Sequence, residues 1–173
     1  MSGVGKPRIY LAGFDVFRRD AVEHGEYLKR LCREQGMQGL YPFDNEVAAD
    51  LAPAECAAQI YRLNLAMIRE ADAVLANLNL FRGFEPDSGT AFEIGAAVAL
   101  GKPVWAYFQA QGSMREWLPG DARGRDAEGF LIEDFGLPRN LMLACSWAGC
   151  SDSVELAVPA LHDYLLGLAA SRR

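Results

Sequence analysis

Hydrophobic positions in this chain fall into short apolar runs, separated by longer stretches in which apolar residues recur at helical spacing. The segment Arg8-Ile9-Tyr10-Leu11-Ala12-Gly13-Phe14 is short, apolar and interrupted by glycine, which predicts a first strand. A helix is expected from about Arg18 to Gln35, with Ala21, Leu28, Leu31 and Cys32 inward and Gly36 ending it. Gly39-Leu40-Tyr41 reads as a second strand, and Pro42-Phe43-Asp44-Asn45-Glu46 as the loop at its carboxyl end. Pro53 suits the first turn of a helix running to about Ala71, where Ile60, Leu63, Met67 and Ile68 share one face. Asp72 to Leu78 reads as a buried parallel strand, Ala91 to Leu100 as an Ala- and Gly-rich helix, and Pro103 to Phe108 as a fourth strand. Gln109 to Arg139 is rich in Gly, Arg and Asp and is expected to be irregular. Asn140 to Trp147 and Asp152 to Leu168 read as closing helices, the last kinked or offset at Pro159.

Alternating strands and helices place the chain in the α/β class. The economical architecture is a single domain over residues 1–173, a flavodoxin- or Rossmann-like three-layer sandwich with a mainly parallel central sheet. In such sheets ligands bind beyond the carboxyl ends of the strands. The first strand ends Ala12-Gly13-Phe14-Asp15, which lacks the glycine pattern of a dinucleotide site, so a nicotinamide enzyme is disfavoured.

Composition narrows the partners. The net charge is -6, from 17 basic and 23 acidic side chains, and no basic cluster is interleaved with aromatics. Binding to a nucleic-acid polymer is therefore not expected. Cys32, Cys56, Cys145 and Cys150 form no CxxC pair and have no paired histidines beside them, which argues against a zinc site and against a disulfide framework. The stretch Met1 to Pro7 lacks the apolar core of a signal peptide, and no run approaches a membrane span. A cytoplasmic location is expected.

Chemistry concentrates in Phe81 to Gly95, the connection between the third strand and its helix. Asp87 and Glu93 lie six residues apart there, and a carboxylate pair in a cleft is the usual equipment for cleaving a bond at an anomeric carbon. Thr90-Ala91-Phe92-Glu93 also matches a capping box, with Glu93 in the first helical turn bonding back to the N-cap amide. The same position suits a nucleophile, because a helix amino terminus favours the ionised carboxylate. Asp87, in Pro86-Asp87-Ser88-Gly89, suits a turn or a helix cap equally well. Gly89 and Gly95 fit either simple turn and packing roles or close approach of a ligand to the backbone. Local physics leaves these alternatives open.

Three pieces in register go further: Tyr10 within Ile9-Tyr10-Leu11-Ala12-Gly13, the segment Asp87-Ser88-Gly89-Thr90-Ala91-Phe92-Glu93-Ile94-Gly95, and Asn140-Leu141-Met142. Together they resemble the nucleoside 2-deoxyribosyltransferase family, from about Arg8 to about Met142. The resemblance implies transfer of a 2-deoxyribosyl group from a 2'-deoxynucleoside to a free nucleobase through a covalent glycosyl-enzyme intermediate. It implies Glu93 as the nucleophile, Tyr10 as the hydroxyl touching that carboxylate, and Asp87 as a contact to the bound nucleoside. Gly13, Phe14, Asp44, Glu46, Asn64 and Gly89 fall at substrate-binding positions, with Phe14 and Phe17 either stacking on the base or packing in the core. Asn140 and Met142 match residues supplied by a neighbouring subunit, which implies a homo-oligomer. No metal or organic cofactor is implied.

Two positions depart from the family pattern. Some members carry an aspartate, proposed to protonate the departing base, where this chain has Asn64; an amide donates a hydrogen bond but delivers no proton. Glu46 stands where some relatives have glutamine, so base preference does not carry over. The alternatives are an N-glycosidase hydrolysing nucleoside 5'-monophosphates, with Arg18 and Arg19 near the phosphate, and a non-catalytic nucleotide sensor.

Overall fold

The computed structural model describes residues 5–171. The reading of Met1 to Val4 as free of a targeting signal lies outside these residues. The chain runs β1 (Arg8–Ala12), α1 (Ala21–Glu34), β2 (Gln38–Leu40), α2 (Pro53–Glu70), β3 (Ala73–Asn77), α3 (Ser88–Ala99) and β4 (Val104–Tyr107). It then forms two single turns, α4 (Met114–Trp117) and α5 (Leu141–Ala144), before β5 (Gly149–Ser151) and α6 (Val154–Ser171). Short 3-10 turns follow β1 at Phe14–Phe17 and β2 at Pro42–Asp44.

The five strands lie in the order β2-β1-β3-β4-β5, and every neighbouring pair is parallel. Each strand is short and its side chains alternate between faces, so one run of residues serves two cores. Ile9 and Leu11 of β1 pack with Leu28 and Cys32 of α1 and with Val158 and Leu161 of α6. Tyr10 and Ala12 point the other way, into a core with Ile68 of α2 and with Ile94 and Ala97 of α3. The result is the expected three-layer α/β sandwich. The strand order reverses between β1 and β3, which opens a crevice where their carboxyl-terminal loops diverge.

Several boundaries differ from the sequence expectations. The first strand stops at Ala12, because Gly13 and a 3-10 turn take the chain over the sheet rim. The helix expected over Asn140 to Trp147 is one turn. Trp147 packs against Phe108 in a tilted pair with ring centroids 5.7 Å apart, and Ala148 N donates to Val104 O, which draws the chain into β5 at the sheet edge. That strand, Gly-Cys-Ser, has no apolar run to announce it. The last helix continues through Pro159 without a break. The irregular stretch after β4 contains α4 and a bridge between Arg125 and Leu131, and it is tied to the sheet by Arg139. The Arg139 guanidinium lies 4.3 Å from the Phe108 ring centre while Nε donates to Leu78 O.

Candidate active site

Tyr10 is fully buried in β1, yet its hydroxyl reaches the sheet rim and donates to Glu93 Oε1 at 2.5 Å. Glu93 is the sixth residue of α3, in its second turn. The capping-box expectation is therefore corrected. Asp87 is the N-cap, and its Oδ2 accepts from Thr90 N at 2.9 Å and from Thr90 Oγ1 at 3.1 Å. Asp87 thus stabilises the helix start, and Glu93 is released from capping to face the crevice. Gly89 sits in the first turn, where an added Cβ would lie 3.0 Å from Asp87 Oδ2.

Burial raises the Glu93 carboxyl to a pKa of about 7; the nearby Asp87 charge pushes the same way, and the Tyr10 hydrogen bond opposes both. Burial, followed by the Glu93 charge, raises Tyr10 far above the ordinary phenol range, so it stays a neutral donor. Glu93 thus titrates near neutral pH, and among the described residues only Tyr10 hydrogen-bonds its carboxyl group.

Glu93 lines a cavity of about 440 Å³ whose walls do not include the buried Tyr10, a volume within the range of small-molecule sites. Its walls come from Gly13 and Phe17 after β1, Asn45 after β2, Asn64 and Ile60 on α2, and Asp87 and Gly89 at the start of α3. The β1 wall has its own support. Buried Asp15 accepts from Asn77 Nδ2 at 2.9 Å, and His24 Nε2 lies 3.2 Å from its other oxygen. A Cβ at position 13 would fall 2.7 Å from Asp15 Oδ2 and 2.8 Å from Asn77 Cβ, so only glycine fits.

Of the residues expected at the site, Gly13, Asn64, Asp87, Gly89 and Glu93 line the cavity, and Tyr10 joins them through its hydrogen bond to Glu93. Phe14 does not line the cavity; it stacks on Phe81 at 4.8 Å, and Phe17 stacks on the same ring at 5.4 Å. Asp44 accepts from Tyr41 N and pairs with Lys29 Nζ at 2.6 Å, so its oxygens serve the β2 turn. Glu46 is exposed outside the walls. The residue between them, Asn45, occupies the cavity instead. Asn140 and Met142 lie on the other flank of α3, in a groove of about 590 Å³ shared with Ile94, Val98 and Ala99. Sequence reasoning missed Asn45 and Ile60. Ile60 stands one helical turn before Asn64 and was discoverable from that spacing, whereas Asn45 had no such signal.

Among the described residues no group of three or more His, Cys, Asp or Glu is arranged to hold a metal ion. No helix among them is long and apolar enough to cross a membrane.

Fold and site together define an α/β enzyme with a carboxylate-centred cavity of small-molecule size. The sequence pattern of the nucleoside 2-deoxyribosyltransferase family matches residues 9–142, and the chain belongs to that family. The structure is similar to the 2-desoxiribosyltransferase from Leishmania mexicana, with 35% identity and a TM-score of 0.74, covering 91% of this chain and 97% of that one. An uncharacterized Schizosaccharomyces pombe protein is 35% identical over 158 residues, 79% of this chain and 74% of that one. A shorter similarity, 40% over 52 residues, links the chain to the mouse 5-hydroxymethyl-dUMP N-hydrolase, covering 30% of this chain and 27% of that protein.

Proposed function

We propose that the protein moves a 2-deoxyribosyl group between nucleobases of 2'-deoxynucleosides by retaining double displacement, with Glu93 as the nucleophile. The observation that carries this reading is Glu93 in the cavity wall, hydrogen-bonded by the buried Tyr10 hydroxyl. Glu93 Oε2 has no hydrogen-bond partner among the described residues and is the oxygen free to attack. In the first step it bonds to the anomeric carbon, the N-glycosidic bond breaks, and the base leaves with the electron pair. In the second step a nitrogen of the incoming base attacks the same carbon, and the carboxylate is expelled. Tyr10 steadies Oε1 through both steps and favours the ionised form by its hydrogen bond. Water in place of the second base gives slow hydrolysis. Asn64 can donate a hydrogen bond to the departing base but no proton, leaving Asp87 or a cavity water to supply one.

Asn140 and Met142 belong to this proposal as residues that complete a neighbouring subunit's site. Within their own subunit they lie across α3 from Glu93. Asn140 is held by Glu133 Oε1 at 2.6 Å, and Met142 is 73% exposed. A homo-oligomer joined along this groove accounts for both.

The rival is hydrolysis of a nucleoside 5'-monophosphate, favoured by the short similarity to the mouse hydrolase. Arg18, expected near the phosphate, is paired with Asp20 at 2.9 Å in an exposed ion pair. Arg82 is a second candidate cation, 5.3 Å from the ring centre of Phe17, which lines the cavity. The deciding experiment incubates the protein with 2'-deoxyadenosine and isotope-labelled adenine, and in parallel with 2'-deoxycytidine and labelled cytosine. Label entering the nucleoside supports transfer. Free base without exchange, accelerated by a 5'-phosphate, supports the hydrolase and refutes the transferase reading.

A further inference from the structure

Two carboxamides from separate elements meet in the cavity wall. Asn45, in the loop after β2, donates through Nδ2 to Asn64 Oδ1 at 3.1 Å and to Met67 Sδ at 2.9 Å. Both of its amide hydrogens are thereby committed. Turning the amide over would set its oxygen against a thioether that has no hydrogen to give. Met67 therefore fixes which way Asn45 points. The groups left over are Asn45 Oδ1, an acceptor, and Asn64 Nδ2, a donor. Neither has a partner among the described residues, and neither is sealed from solvent. Both side chains line the cavity that holds Glu93.

We infer that this pair reads the nucleobase and selects an amidine edge, an exocyclic amino group beside an unprotonated ring nitrogen. The inference rests on the deoxyribosyl-transfer reading and adds the base class to it. Adenine and cytosine carry that edge; hypoxanthine and uracil carry an oxo group in its place. The amino group donates to Asn45 Oδ1, and the ring nitrogen accepts from Asn64 Nδ2. With the sugar seated at Glu93 the base cannot turn over, and an oxo base would set its oxygen against Asn45 Oδ1 and its ring N–H against Asn64 Nδ2. That leaves two acceptors facing each other, with water excluded by the ring. The one-donor, one-acceptor arrangement depends on an uncharged pair, because a carboxylate at position 64 could only accept. Met67 is a positioning residue here, acting on the base only through Asn45.

The test is equilibrium binding of 2'-deoxynucleosides, whose sugar fixes the base, by titration calorimetry with Glu93→Gln in every protein to stop turnover. The pairs are 2'-deoxyadenosine against 2'-deoxyinosine and 2'-deoxycytidine against 2'-deoxyuridine. It is run with Asn45 and Met67 as in the wild type, with Met67→Leu and with Asn45→Ala. Leucine keeps the volume of methionine and removes only the sulfur acceptor. Asn45→Ala lies in a loop, outside the helices and strands of the fold. With Asn45 and Met67 both in place, the amino nucleoside should bind at least about tenfold more tightly than its oxo counterpart in at least one pair. The adenine and cytosine arms show whether the cavity takes the purine or the pyrimidine form of the edge. Met67→Leu should bring the amino-to-oxo ratio within about threefold while amino-nucleoside affinity stays close to that with Met67, and Asn45→Ala should abolish the preference. Oxo nucleosides bound as well as amino ones with both residues in place would overturn the inference, as would a ratio unchanged in both variants or no binding of any of the four nucleosides. The amino preference without any base exchange would support the pair's role and refute the transfer mechanism alone. Base exchange without the preference would do the reverse.

Discussion

Replacing Glu93 with glutamine should stabilise the protein, and only at neutral to alkaline pH. The carboxyl is raised from 4.5 to about 7, chiefly by burial. Its folded-state pKa lies above its unfolded value, so the stability it contributes is complete below about pH 4.5 and is lost as pH rises through 7. Each tenfold change in the ionisation equilibrium is about 1.4 kcal/mol. The ionised carboxyl thus costs the fold about 3 kcal/mol at pH 8 and less than about 1 kcal/mol at pH 5. Glutamine has no charge to bury, and its oxygen can still accept from Tyr10. Its amide hydrogens need partners, however, so a net gain of about 2 kcal/mol at pH 8 is the reasonable expectation. For a chain of this size that is roughly 4–8 °C in Tm. Thermal unfolding of both proteins at pH 5 and pH 8, followed by circular dichroism, measures it. Glu93→Gln should melt higher at pH 8, with the gap mostly gone at pH 5, and should be inactive throughout. A gap equal at the two pH values, or a variant less stable at pH 8, would refute the claim that Glu93 is a desolvated carboxylate.

Other consequences can be measured in the same way. The acid limb of kcat/KM should fall below about pH 7 in the wild type and move to higher pH in Tyr10→Phe, which loses the hydrogen bond holding the Glu93 pKa down; an unmoved limb would detach the two residues. Asp87→Asn should keep the helix cap and nearly full stability, whereas Asp87→Ala should lose about 1 kcal/mol in denaturant titration; equal stabilities would contradict the N-cap geometry. Met142→Asp, on an exposed side chain in the groove beside α3, should shift sedimentation toward monomer and reduce activity in parallel. An active monomer would remove the shared-site proposal.

The sequence carried the architecture because β1, β3 and β4 are compact apolar runs that nothing but a buried strand explains. Where it failed, apolarity was not the cause of structure. β5 is Gly-Cys-Ser and forms only because Trp147 and Ala148 deliver the chain to the open edge of β4. Glu93 looked like a capping residue because Thr90 precedes it by three positions. The stronger cap, Asp87, begins the helix three residues earlier, which makes Glu93 its sixth residue rather than its third and leaves it facing the crevice. Tyr10 and Glu93 are 83 residues apart, and neither announces the other except through the family resemblance. The resemblance put Asp44 and Glu46 at substrate-binding positions, yet Asn45 between them lines the cavity. Its placement depends on the β2 loop meeting α2, a tertiary event without a local pattern. The same holds for Asp15, whose burial against Asn77 and His24 shapes the wall at Gly13.

The central claim is a covalent bond between Glu93 and the sugar. Mixing the protein with a 2'-deoxynucleoside in the absence of acceptor base, followed by acid quench, proteolysis and mass spectrometry, tests it directly. The account predicts a deoxyribosyl adduct on the peptide containing Glu93. The adduct should be absent from Glu93→Gln and discharged when a free base is added before the quench. Turnover with no adduct, an adduct on another residue, or exchange that survives Glu93→Gln would contradict it.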